Sequence, residues 1–350
     1  MSSKILKIFG VDADSTDLFP LNFKLLYELK KYDLIHTTDQ FFSMSKTALL
    51  ANKIWKIPLT TSIHTDTPPY TKYYVEKILN NLFKHFFGLN TLLINKFKIP
   101  EKFEKKMFNK IYYFLKKSDH GMVADKIYSP QVLIEKTKNN HITKLNRGIN
   151  GDIFFLKKEK RKKILKKYNI PPKNKLLFFS GRIHELKGAI LLSKIHRKLN
   201  DAKIHVSTIM AGEDIHGKIC KDIGKEGLSL VGYLKQEDLA EIYRICDFFV
   251  FPSNFEIGPN VVLEAKACGA VVVVSPNGGG KRVNKSGEDG IIIKNLNVDL
   301  WVKTLKKFIM ESNKIQYIKK NLKNQNKVCS WSDILESEII PHWKRVIKEE

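Results

Sequence analysis

Cysteine is scarce in this chain. Its 350 residues hold four, Cys220, Cys246, Cys268 and Cys329, and no two stand in a C-x-x-C or comparable spacing. A disulfide scaffold and a structural zinc site are thereby excluded. Long apolar runs are missing too, since no segment reaches the roughly eighteen uncharged apolar residues that a bilayer span needs. The opening MSSKILKIFGVDADSTD does not read as a signal peptide, because acidic residues interrupt it before an apolar stretch develops. A cytoplasmic protein is the expectation. No repeat at solenoid periods and no low-complexity tract is visible. Acidic residues are few beside basic ones: 36 Asp and Glu against 61 Lys and Arg leave a net charge of +25. Such an excess predicts attraction to phosphate, as a nucleotide, a nucleic acid or an anionic membrane face, and is silent about fold.

What is present points to two compact domains. Hydrophobic residues make up 43% of the chain, which excludes disorder, and one core seldom grows past roughly 250 to 300 residues. Short apolar runs alternate with helical stretches, the pattern of parallel α/β sheets with buried strands. Strands are expected at Tyr32 to His36, Leu59 to His64 and Gly121 to Ala124, then at Leu176 to Ser180, His205 to Ala211, Leu228 to Val231, Asp247 to Phe251 and Val271 to Ser275. RGINGD, Arg147 to Asp152, interrupts the pattern with two glycines and marks the divide. The lysine-dense stretch Lys157 to Lys167 reads as a solvated helix face.

FFSGRIHELKGAI, Phe178 to Ile190, reads as a buried strand ending at Gly181-Arg182 and a helix entered at Lys187-Gly188. Unpaired amides at that helix start, its dipole and two cations would suit an anion. Arg182 can offer two parallel hydrogen bonds to a phosphate, whereas Lys187 is a mobile point charge. PSNFEIGPNVVLEAKACGAVVVVS places Glu256 in a loop and Glu264 within a helix, with Pro259 at the helix start. Both carboxylates can face the crevice at the strands' carboxyl ends, where open α/β sheets bind ligands. Ionised carboxylates only accept hydrogen bonds, so sugar hydroxyls are natural partners. Gly278-Gly279-Gly280 supplies a further close-approach loop.

These pieces, taken in order with NGD at Asn150 to Asp152 and VGYLKQEDLAEIYRICDFFVFPS, resemble the nucleotide-sugar domain of the family-four retaining glycosyltransferases over roughly Asn146 to Gln325. The resemblance implies the GT-B fold: two Rossmann-like doubly wound α/β domains facing a cleft, 1–146 on the acceptor side and 147–325 on the donor side. The C-terminal helix, 326–350, would cross back to the first domain. It further implies a UDP- or GDP-sugar donor, no other cofactor and no metal. Arg182 and Lys187 would hold the diphosphate, Glu264 the ribose and Glu256 the transferred sugar. Gly181, Ile257, Gly258, Asn260 and Val261 would complete the donor pocket, with His64, Arg182, Lys187 and Glu256 the catalytic set.

YDLIHTTDQ and IPLTTSIHTDTPPYTKYY are similar to the same family's first domain, the second phrase to members that move mannose or related sugars to lipids. There the residue matching His64 lies near the donor sugar. Only some thirty residues precede Tyr32, without a G-G or G-x-G pattern, so the first domain is expected to be shortened. The alternative to a transferase is therefore a nucleotide-sugar-binding subunit that needs a partner chain. Thr91 to Lys117 holds eight lysines, two glutamates and six aromatics. Either a helix on an anionic membrane or a helix with an aromatic core face and solvated lysines fits it. Asp12-Ala13-Asp14 matches a short metal motif that is common by chance. No recognised nucleic-acid motif accompanies the basic charge, and no nucleic-acid partner is expected.

Overall fold

A computed structural model of the chain describes residues 21–124, 129–254, 256, 258–324 and 328–348. The chain is α/β and divides by its internal contacts into two units, Met1–Asn146 with Leu335–Glu350, and Arg147–Ile334. The return to the first unit begins at Leu335 and not at residue 326. Ser330 bridges Ile149 as an extra strand pair, which keeps the intervening turn with the second unit.

In the first unit four parallel strands, β1 (Ile35–Thr37), β2 (Leu59–Ile63), β3 (His120–Val123) and β4 (Ile142–Lys144), lie in sequence order. β4 escapes sequence inspection because only Ile142 of its three residues is buried. The C-terminal helix Ile340–Lys348 belongs to this unit. Its His342 stacks on His120 with ring centroids 4.0 Å apart, and Arg345 Nη2 reaches His120 Nδ1 at 3.0 Å. Burial, reinforced by His342 and Arg345, holds the His120 imidazole at about 3. It therefore stays neutral and can accept from the guanidinium.

Six parallel strands build the second unit: β5 (Lys175–Ser180), β6 (Val206–Ala211), β7 (Leu228–Leu230), β8 (Phe248–Phe251), β9 (Val272–Val274) and β10 (Ile291–Ile292), ordered β10-β9-β8-β5-β6-β7. The chain runs outward from β5 to β7, then crosses back to lay β8 against the other side of β5. β5 and β8 thus meet at a topological switch point, whose crevice at the carboxyl ends is the usual ligand site of such sheets. Helices cover the sheet. Ala189–Asp201 buries Leu192, Ile195, His196 and Leu199, a one-face spacing that fits a 3.6-residue turn. Phe178, Phe249 and Tyr243 pack edge to face beneath the crevice, with ring centroids 5.1 to 6.1 Å apart.

Candidate functional site

Gly181 closes β5 at φ +141°, a conformation glycine adopts readily. Arg182 follows it with its side chain exposed. Within the loop that leads from β5 to the helix, every amide from Ile183 to Ala189 is taken. Ile183 N donates to Glu213 O at 2.8 Å, His184 N to Arg182 O at 2.8 Å and Glu185 N to His216 Nδ1 at 3.1 Å. Leu186 N donates to His184 Nδ1 at 3.1 Å, Gly188 N to Glu185 O at 2.8 Å, and Lys187 N and Ala189 N both reach His184 O. The cause is a 3-10 turn, Glu185–Lys187, capped by His184 and inserted before the helix, which starts only at Ala189 after Gly188 at φ +82°. An anion here meets side-chain cations in place of those loop amides.

Lys187 forms an ion pair with Glu256, and both side chains are less than one-fifth exposed (17% and 14%). Ser253 Oγ lies 3.2 Å from the same Glu256 oxygen and 3.1 Å from Leu186 O. Glu256 N donates to Asn277 O at 3.2 Å, and Asn254 N to Leu186 O at 3.0 Å. The loops after β5, β8 and β9 are thereby tied together around this pair. Arg147 adds a third charge: burial lowers its guanidinium, and Glu256 counteracts that. Gly258 packs against Arg282, whose Nη2 would lie 2.1 Å from a Cβ added there. Asn260 and Val261 open the helix Asn260–Ala267, with Pro259 as its N-cap. Ile257 lies outside the described residues.

Glu264 sits on that helix, and its Oε2 accepts from the Tyr243 hydroxyl at 3.4 Å. Burial pushes the Glu264 carboxyl up to about 7, against the pull of that hydrogen bond. Burial, with Glu264 beside it, holds the Tyr243 phenol well above its ordinary value, so the hydroxyl keeps its proton. Glu264 can thus change charge near neutral pH at the mouth of β5 and β8. Sequence inspection missed Tyr243, Ser253 and Arg147. The one available hint was the hydroxyl of Ser253 three residues before Glu256.

Behind the crevice Lys266 Nζ donates to Asp289 Oδ2 at 2.6 Å and to Arg282 O at 2.8 Å, in a pair that is almost fully buried. A cavity of about 700 Å³ lies elsewhere, toward the amino ends of the strands beside Asn174, Asn200 and Ser207. Its polar lining is largely occupied internally, as Asn174 bonds Ser207 and Asn200 bonds Val206. It does not coincide with the candidate site.

His64 belongs to the first unit, just past β2. Its Nε2 lies 2.6 Å from Ser62 Oγ, which is 3.0 Å from His36 Nε2, and His36 Nδ1 is 2.8 Å from Thr60 Oγ1. Burial lowers His36 to about 4, so it is neutral. Because Thr60 Oγ1 reaches Ile35 O, one consistent ordering runs from His64 Nε2–H to Ser62, to His36, to Thr60. In that ordering Nδ1 of His64 carries the lone pair.

Among the described residues no group of three or more His, Cys, Asp or Glu could hold a metal ion. Asp12-Ala13-Asp14 lies outside them. Residues 160–325, which include every second-unit group above except Arg147, match the family model "Glycosyl transferases group 1". A D-inositol 3-phosphate glycosyltransferase of Streptosporangium roseum is 23% identical over 305 residues, covering 83% of this chain and 64% of that protein. A sulfoquinovosyl transferase of Arabidopsis thaliana is 23% identical over 318 residues, covering 88% of this chain and 56% of that protein. The chain thus spans less than two-thirds of either relative's length. Among solved structures, sucrose-phosphate synthase of Thermosynechococcus elongatus aligns with a TM-score of 0.70 at 16% identity, covering 94% of this chain and 77% of that one. Anabaena HepE in complex with UDP aligns at 0.64 and 14%, covering 93% and 80%. The stretch that builds the crevice therefore matches the glycosyl transferases group 1 family, in a chain of the GT-B fold.

Proposed function

We propose that the protein is a metal-independent retaining glycosyltransferase that moves a sugar, mannose-type by preference, from a UDP- or GDP-sugar to a hydroxyl acceptor on a lipid or a cell-envelope glycan. In this reading the second unit holds the donor and the first the acceptor. The carrying observation is the Lys187–Glu256 ion pair on the loops that leave β5 and β8, with Arg182 at the end of β5 and Glu264 on the helix that follows β8. HepE's complex with UDP supports a nucleotide donor.

The bond between the anomeric carbon and the donor's diphosphate oxygen breaks, and the acceptor oxygen forms a new bond to that carbon on the same face. The nucleoside diphosphate leaves, and one of its phosphate oxygens takes the acceptor's proton. Arg182 and Lys187 stabilise the charge building on the diphosphate, a contribution of about 3 to 4 kcal/mol for one well-placed contact. As Lys187 turns to the phosphate, Glu256 is released to hold hydroxyls of the transferred sugar, with Arg147 still offsetting its charge. Glu264 takes the ribose hydroxyls, and the family resemblance assigns His64 to the donor sugar. Gly181, Gly258, Asn260 and Val261 shape the pocket. The two carboxylates position substrate and are not a hydrolytic acid–base pair.

A panel of nucleotide sugars scored by thermal shift tests this. One UDP- or GDP-sugar should raise the melting temperature of the wild type, and Arg182→Ala and Glu264→Ala should abolish that response. If neither substitution alters the response to any donor, the assignment is wrong. One alternative is a donor-binding subunit completed by a partner chain. Donor binding without nucleotide release, reversed by an added partner, would select that alternative.

A further inference from the structure

The helices between β2 and β3 carry a surface that the first unit's core does not use. The helix Ile99–Lys117 turns Ile111, Phe114 and Leu115 inward, so part of its aromatic content is core. The stretch from the end of the preceding helix to the first turn of this one does the opposite. Leu82, Phe86, Leu89, Leu92, Phe97 and Phe103 are all between 37% and 66% exposed. Large side chains left in water over so short a stretch mark an interaction site. Neither glutamate of Thr91 to Lys117 is turned to the lysines of that stretch, since both face Lys72 on the neighbouring helix Thr67–Leu82, at 3.0 and 4.0 Å. Lysine crowds lysine here: Lys110 is lowered by burial and by Lys46 and Lys106.

We infer that this apolar stretch and its lysine collar dock the protein on an anionic lipid surface. A protein partner is the poorer fit, since interface cores are depleted in lysine, whereas phenyl and leucyl groups beneath an ammonium rim match acyl chains under anionic headgroups. Among the described residues no helix is long and apolar enough to cross a membrane, so the surface lies on the bilayer. The inference rests on the proposed lipid-side acceptor only for its purpose, and vesicle binding needs neither donor nor acceptor.

Co-sedimentation of the full chain with vesicles of phosphatidylcholine, with and without 30% phosphatidylglycerol, is the test. Binding should be at least tenfold stronger to the anionic vesicles and should fall with salt. Phe86→Ser with Phe97→Ser, and separately Lys102→Gln with Lys106→Gln, should each weaken it tenfold or more while the melting temperature and its response to nucleotide sugars stay those of the wild type. Equal binding to both vesicles, or variants that bind like the wild type, would overturn the inference. So would loss of a self-association in the phenylalanine variant with vesicle binding intact, since the surface would then join copies of the chain. A lost nucleotide response in the unsubstituted protein would count against the donor reading alone.

Discussion

Glu264→Gln should make the protein more stable at alkaline pH while removing donor binding. The native carboxyl titrates at about 7 against an ordinary 4.5, with burial the main cause. A native value raised above the unfolded one means that, as pH rises, the unfolded chain gives up its proton before the native protein does. The stability tied to the protonated group is therefore present below pH 4.5 and is lost on the way to pH 7. At about 1.4 kcal/mol per pH unit, the ionised group costs up to about 3 kcal/mol at pH 8 and less than about 1 at pH 5. Glutamine keeps an oxygen for the Tyr243 hydroxyl and never ionises. Urea denaturation of both proteins, scored on the transition of the second unit, should show the advantage of Glu264→Gln growing by about 2 kcal/mol between pH 5 and pH 8. A difference that stays constant across that range would refute the burial argument. A gain in stability with a loss of donor response is the trade-off expected of a charge kept for binding.

Gly188→Ala should destabilise the second unit by about 2 kcal/mol or more and blunt the nucleotide response. Its φ of +82° strains any L side chain, and an added Cβ would lie 2.3 Å from Pro252 O, so the turn carrying Lys187 must shift. Thermal melts with and without donor check both parts. Asp289→Asn strands Lys266 in a buried site, for a cost on the order of 3 to 5 kcal/mol. Burial raises Asp289, but Lys266 and the amides of Lys285 and Asn284 outweigh it and hold the carboxyl below 3.8. That contribution is present above pH 3.8 and disappears as pH falls through the lowered native value. The wild type should thus lose its advantage over Asp289→Asn only in strong acid, and a gap that closes between pH 5 and pH 7 would contradict this.

Much of the fold could be read from the chain, because a buried parallel strand is a local signal. All eight strands expected from apolar runs are present, displaced by a residue or three at their ends. β4 and β10 were not legible, for three and two residues carry too little pattern to rise above a loop. The turn after Gly181 misled for a different reason. Whether its amides are open depends on His216, thirty-one residues beyond Glu185, and on a histidine cap that looks like an ordinary loop residue. Tyr243 was hidden likewise: helical period explains its ring as core, while its hydroxyl acquires meaning only from Glu264, twenty-one residues on. Opposite charges in one crevice behave the same way. Lys187 and Glu256 each read as groups waiting for a ligand, and apart they would be. Side by side in a half-dry pocket they first satisfy one another, because an unpaired charge there is costly. Any ligand that uses both must replace that partnership with an anion for the lysine and hydroxyl donors for the carboxylate. A sugar diphosphate carries both in one molecule, whereas a bare phosphate or a neutral sugar would leave one member of the pair unmatched.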